Sequence, residues 1–393
     1  MEPIPLVHAS LGHQELDAVA AVFASGWPAG QGPRGKALEA RLVRRYGVGD
    51  AVAMCNAGAA LHVSLLALGV KPGDEVIVAD YGFPAPAHAV RYLDAVPVCA
   101  DVRADTGTVD PQAVADLITP RTVGVIAVDT VGIPADYVEL QAIADRHGLF
   151  LVEDAACAVG ATYRGRAAGA LAEVGVLSFH GRKGASSGEG GALLAADPKI
   201  GAEARLSASF GIGSIFDMGE VVGLPIPEFT RIGHNYKLSD IAAAILQVQL
   251  NRVDELLARR AAVAAQYTEL LAAEELLTVP FVPDDRTHAW QTYMVTLDPG
   301  VDRAAVATEL RAKGIGCGHG TFATHVQPVF ESKHKCPVSA RLFQHHLSVP
   351  MHAELATSQV ERVVDALRGA VRTHSGATRR AFPMSTRTPG GAA

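Results

Sequence analysis

Seven short apolar runs punctuate the first half of the chain: AVAM (51–54), EVIVA (75–79), VPVCAD (96–101), VGVIAVD (123–129), FLVED (150–154), VGVLSF (174–179) and GALLAA (191–196). They are rich in β-branched residues and too short for buried helices, which predicts strands covered on both faces. Between most of the earlier runs lie helical patterns such as AALHVSLLALG and YVELQAIADRHG, long enough to cross over between parallel strands. The alternation predicts an α/β fold built on a mostly parallel seven-stranded sheet.

The pattern changes near Ser239. In LSDIAAAILQVQLNRVDELLARRAAVAAQYTELLAA, Leu246, Leu250, Val253 and Leu257 recur at helical spacing and Ser239 is placed to cap the start, which predicts one long interdomain helix. Beyond it QTYMVTL, HLSVPM and SQVERVVDALRGAV suit a smaller C-terminal α+β domain. The expected division is a large α/β domain over 1–250, a small domain over 251–372 and a disordered tail over 373–393, rich in Ser, Thr, Pro and Gly.

Composition narrows the class. A chain of 393 residues with 49% hydrophobic and 19% charged residues has material for two or three packed domains. A net charge of −7, with no basic block interleaved with aromatics, argues against a nucleic-acid partner. The start MEPIPLVHASLGHQELDAV is unlike a secretory leader and no apolar run is long enough to span a bilayer, so a soluble cytoplasmic enzyme without a membrane partner is expected. Cys55, Cys99, Cys157, Cys317 and Cys336 never form CxxC, so neither a zinc site nor a disulfide framework is indicated and no metal is expected. GQGPRG (30–35) matches GxGxxG, but it follows the helical ELDAVAAVFASG rather than a strand and contains Pro33, so it reads as a loop between helices.

Candidate chemistry gathers at the ends of two neighbouring strands. FLVED closes on Glu153 and Asp154, and VGVLSF runs through Ser178 toward Lys183 in SFHGRKGASSGEGGAL. Taken singly, Asp154 equally suits a helix cap and Lys183 a solvated loop. Together they offer an amine that can condense with an aldehyde and a carboxylate that can hold a pyridine nitrogen protonated, the pairing that pyridoxal phosphate requires. In MCNAGAALHVSLLALG a strand turns into a helix whose first amides, at Gly58 and Ala59, suit a phosphate. Phe83 in ADYGFPAPAHAV suits either ring stacking or a core position.

These stretches, with KPGDEVIV, ITPRTVGVIAVDTVGIPAD, VEDAACAVGATYRGR and RIGHNYKLSDIAAAILQVQL, resemble the DegT/StrS family of pyridoxal-phosphate-dependent sugar aminotransferases, within the fold-type I aspartate aminotransferase superfamily. The resemblance covers roughly residues 5–370. It implies that Lys183 carries the cofactor, Asp154 partners the pyridine nitrogen, Ser178, Gly58 and Ala59 hold the phosphate, and Phe83 stacks on the ring. It also implies a homodimer with shared sites, Asn235 reaching the neighbour's cofactor phosphate, and substrate contacts from Trp27, His319 and His325. Three positions depart from the family: Cys157 stands where Gln or His is usual near the cofactor's ring hydroxyl, Gly58 where Thr is common, and Gly184 where Asn is frequent. Relatives that dehydrate sugars have His in place of the lysine, so Lys183 implies amine transfer. The implied reaction is ping-pong transamination from L-glutamate to a keto sugar nucleotide, with SFH resembling members that act on TDP-4-keto-6-deoxyhexoses. Amination of a 3-keto sugar or an inosose, or a cofactor-binding regulatory role, are the alternatives.

Overall fold

The computed structural model describes residues 2–212, 228–330, 332 and 334–376. In chain order the strands are β1 (Asp50–Met54), β2 (Glu75–Ala79), β3 (Tyr81–Gly82), β4 (Val96–Ala100), β5 (Thr122–Val128), β6 (Phe150–Asp154), β7 (Thr162–Tyr163), β8 (Arg166–Ala167), β9 (Val174–Ser178), β10 (Gly191–Ala195), β11 (Leu277–Thr278), β12 (Tyr293–Leu297), β13 (Phe322–Ala323) and β14 (His346–Val349). The helices are α1 (His13–Ser25), α2 (Pro33–Tyr46), α3 (Ala57–Ala67), α4 (Ala85–Arg91), α5 (Pro111–Asp116), α6 (Tyr137–His147), α7 (Pro198–Ala208), α8 (Asp240–Leu271), α9 (Arg303–Ala312), α10 (Pro337–His345) and α11 (Thr357–Thr373). Each of the seven apolar runs is a strand, and all seven join one sheet in the order β1-β10-β9-β6-β5-β2-β4.

The pairs β2/β4, β2/β5, β5/β6 and β6/β9 are parallel, whereas β10 runs antiparallel to both β9 and β1. Parallel neighbours need a crossover, but an antiparallel return needs only a loop. The β9–β10 connection, which carries Lys183, is that loop. Successive strand residues face opposite sides. Ala51, Ala53, Val125 and Ala127 therefore enter one core, while Val52, Met54 and Ile126 enter the other, under α3 and α4.

A third core lies under the sheet β11-β12-β14 with α9 and α11. Helix α8 serves two cores: Ser239 caps it through Ala242 N–H, Leu246, Leu250 and Val253 pack on the large sheet, and Val263, Ala264, Tyr267 and Leu271 pack in the small domain. The boundary expected at 250 thus falls inside a continuous helix. The first residues are also reassigned, because Ile4 exchanges backbone bonds with Gly314 and Gly316 and is buried in the small-domain core. At the other end α11 runs through Thr373, and the Gly376 N–H bonds Gly300, so order extends past 373; residues 377–393 of the expected tail lie outside the described residues.

GQGPRG is the turn between α1 and α2, with Gly32 at the N-cap and Pro33 opening the helix. The Arg34 and Gly35 amides donate to Asp240, each at 2.9 Å, so a carboxylate of this chain occupies that helix N-terminus. Among the described residues no helix is long and apolar enough to cross a membrane.

Candidate active site

β6 lies between two parallel neighbours, so Val128, Asp154 and Val176 stand side by side at the carboxyl edge of the sheet. Glu153 and Asp154 are both buried but point to opposite faces. Glu153 accepts the Gly169 and Leu171 amides at 2.5 and 2.7 Å, which fixes the turn before β9. Asp154 accepts the Ala156 amide at 3.1 Å. Burial pushes the Asp154 carboxyl up to about 6, against the pull of that amide and of Lys183. Asp129, which the sequence reading passed over, follows β5 and is fully buried. It accepts from Tyr137 Oη at 2.8 Å and from the Ala135 amide at 3.1 Å, and burial, with the Glu153 charge beside it, pushes its carboxyl well up.

Lys183 stands half-buried in the loop after β9. Its Nζ donates to Cys157 Sγ at 3.0 Å, which places Cys157 beside the amine. Its backbone carbonyl accepts from Arg260 Nη2 at 3.3 Å, and Arg260 Nη1 donates to the Trp290 carbonyl at 3.1 Å. Arg260 was not foreseen. It sits on the buried face of α8 with Leu256, Val263 and Tyr267, so a charged residue at an apolar-face position was the available signal.

The residues expected to hold a phosphate, Ser178 and those at the start of α3, lie close together. Ser178 ends β9 opposite Gly191, and a Cβ at Gly191 would fall 2.4 Å from the Asn56 carbonyl carbon and 2.5 Å from Ala57 N. Glycine at 191 therefore lets the start of α3 come down beside Ser178. One expected donor is corrected: the Ala59 amide is taken by the Asn56 side chain at 2.8 Å. The Ala57 and Gly58 amides precede any intrahelical acceptor.

The remaining expected residues divide. Phe83 is 67% exposed and meets Phe322 edge to face, with centroids 6.0 Å apart. His319 packs on the same Phe322 at 4.6 Å, so it belongs to this neighbourhood. His325 is bound to the Asp80 carboxylate, at 2.6 Å from Nδ1. Trp27 lies against Gly32 and Asp240, where α2 and α8 begin. Asn235 is exposed and its Oδ1 accepts from Lys237 Nζ.

The site thus offers an amine, a buried acid on the adjoining strand, and a hydroxyl beside the first turn of a helix. That donor set fits an aldehyde-bearing pyridine ring with a phosphate. Among solved structures the chain is similar to the aminotransferase TlmJ from Streptoalloteichus hindustanus, at 34% identity over 94% of this chain and 99% of that one, with TM-score 0.88. It is similar to DesV from S. venezuelae, solved with a ketimine intermediate, at 31% identity over 94% and 98% of the two chains and TM-score 0.85. At 24% identity, 94% and 99% coverage and TM-score 0.88, its likeness to Spr1654 of Streptococcus pneumoniae, named a sugar aminotransferase and solved in its PLP form, bears on the fold alone. The architecture is that of the fold-type I transferases. Residues 9–368 match the profile of the DegT/DnrJ/EryC1/StrS aminotransferase family, and the chain belongs to that family.

Proposed function

We propose that this protein is a pyridoxal-phosphate-dependent aminotransferase that moves the amino group of L-glutamate to a keto sugar nucleotide, with a TDP-4-keto-6-deoxyhexose as acceptor and the 4-amino sugar as product. The observation that carries the reading is the convergence of the Lys183 amine and the buried Asp154 carboxylate on adjoining strand ends beside the start of α3.

Bound there, the cofactor supplies an aldehyde that exchanges nitrogen and a ring that draws off electrons. Asp154 holds the proton on the pyridine nitrogen, and its charge, kept from water, is felt strongly at the ring. Lys183 Nζ takes the proton from the donor's α-carbon and returns it on the other side of the exchange. Ser178 Oγ and the Gly58 amide hold the phosphate, with Ala57 in the place expected of Ala59. Phe83, with its ring exposed, would stack on the pyridine, and Cys157, beside the Lys183 amine, would be the neighbour of the ring hydroxyl. Asn235 of the partner subunit completes the phosphate site in a homodimer. Exposed Phe229 and Ile232, near Asn235 in sequence, support a covered face there.

The test is a product assay. With L-glutamate the loaded protein should release 2-oxoglutarate, and offered 3-keto and 4-keto sugar nucleotides side by side it should aminate the 4-keto compound. Amination at C3 alone would overturn the regiochemistry, and no 2-oxoglutarate with either acceptor would overturn the transaminase reading.

A further inference from the structure

Cys157 lies in the turn after β6, where the Ala158 N–H donates to the Ala155 carbonyl at 2.9 Å and the Ala161 N–H to the Ala158 carbonyl at 2.8 Å. Ala155, Ala158 and Ala161 are buried, so the turn is anchored in the core while Cys157 itself stays half-buried. Lys183 is held from the other side: its N–H donates to the His180 carbonyl at 2.9 Å, and its own carbonyl accepts from Arg260 Nη2 at 3.3 Å. Two separately fixed backbones thus bring Lys183 Nζ to 3.0 Å from Cys157 Sγ. The other thiols are placed differently. Cys99, Cys317 and Cys336 are buried, the last two donating to backbone carbonyls, and half-buried Cys55 faces the Asn56 side-chain amide at 3.6 Å. An amide nitrogen is no nucleophile, whereas an amine is.

We propose that Cys157 and Lys183 form a redox modification site, in which a peroxide joins the pair through a reversible sulfur–nitrogen bond, a sulfenamide. The thiolate is the form that attacks. Cys157 Sγ displaces one oxygen of the peroxide: an S–O bond forms, the O–O bond breaks, sulfur gives up an electron pair, and the other oxygen leaves as water with the thiol's proton. The product is a sulfenic acid, which condenses with a nearby nitrogen. Lys183 Nζ, as the neutral amine, then attacks Sγ. The N–S bond forms, the S–O bond breaks, and the hydroxyl leaves as a second water with a proton from the amine. Because the amine is already in contact with the sulfur, condensation outruns attack by a further peroxide, which would carry the sulfur to the sulfinic acid.

The bridge stands on the geometry of the pair; its consequence rests on the reading of Lys183 as the amine that takes the cofactor. Once bonded to sulfur, Nζ cannot form a neutral imine with an aldehyde, so oxidation closes the site to the cofactor. A thiol reductant attacks Sγ, releases the amine and opens the site again. An amine already engaged with the cofactor's aldehyde cannot attack the sulfenic acid, so the loaded protein is shielded and the cofactor-free protein is the sensitive form.

The experiment treats the full chain, free of cofactor, with hydrogen peroxide and digests it without reductant. Mass spectrometry should find the Cys157 peptide joined to the Lys183 peptide, lighter than their sum by two hydrogen atoms, and dithiothreitol should separate them. In Lys183→Ala the same treatment should leave Cys157 as a sulfenic acid that dimedone traps. The wild-type peptide map decides the matter even where the variant does not fold. Cys157 recovered only as the thiol, the sulfinic acid or the dimedone adduct, with Lys183 unmodified, would overturn the site. A second arm adds pyridoxal phosphate before the peroxide, and the joined peptide should then be lost. A joined peptide formed equally with and without pyridoxal phosphate would support the bridge and overturn the cofactor role of Lys183, so the two readings fail separately.

Discussion

Lys183 Nζ rests on Cys157 Sγ at 3.0 Å, so the amine on which the proposed chemistry depends has a thiol for its neighbour. A thiol is a poor hydrogen-bond partner. Cys157→Gln restores the side chain usual in the family and offers an amide to the same neighbourhood. A gain of about 1 kcal/mol in that contact should tighten cofactor binding about fivefold in an equilibrium titration. Weaker binding in the variant would mean that the site is shaped around the smaller sulfur.

Lys183→Ala separates holding the cofactor from using it. Borohydride reduction should attach a pyridoxyl group to the Lys183 peptide of the wild type and to no peptide of the variant. The variant should still retain the cofactor through Asp154, Ser178 and α3. Turnover should fall by more than the 10² to 10⁴ attributed on the order of magnitude to acid–base catalysis, because covalent exchange is lost as well. Turnover within about tenfold of wild type would assign the amine to another residue.

Asp154 makes a pH-dependent prediction. Its carboxyl stands at about 6 in the fold against an ordinary 3.8. Between these values the folded chain holds a proton that the unfolded chain has lost, so this residue's contribution to stability falls as pH rises through the window. Two units of raised pKa amount to about 3 kcal/mol. In urea melts of cofactor-free protein, Asp154→Asn should therefore be more stable than wild type by up to about 3 kcal/mol near pH 8 and should match it at about pH 3. The same variant should bind the cofactor less tightly above about pH 6, since an amide cannot balance a protonated pyridine nitrogen. A stability difference that does not change with pH would show that the carboxylate is already compensated.

The shared site can be tested by mixing subunits. In a dimer of one Lys183→Ala subunit and one Asn235→Ala subunit, one site carries both substitutions and the other carries neither. If Asn235 serves the partner's phosphate, two weakly active homodimers should regain activity after being unfolded and refolded together. Asn235→Ala alone should leave each subunit folded and lose cofactor faster on dialysis. No gain on mixing would place Asn235 and Lys183 at the same subunit's site.

The local pattern of the chain was enough to locate the seven strands of the main sheet and helix α8, each from residues close together in sequence. Strands buried on both faces must be apolar throughout, and Ser239 followed by Leu246, Leu250 and Val253 is a cap and a stripe with helical period. Asp154 and Lys183 could be placed at neighbouring strand ends for a related reason, since each ends or follows such a strand. Tertiary structure decided the rest. Nothing local says that Ile4 belongs to the small-domain core, that Arg260 binds the Lys183 carbonyl 77 positions away, or that Cys336 and His325 meet Cys99 and Asp80. Even the short-range exchange in which Asn56 takes the Ala59 amide depends on how the α3 cap is turned. Periodicity records which side of an element is buried. Which distant groups share a point in space is set by how whole elements pack against one another, and that is a property of no single stretch of sequence.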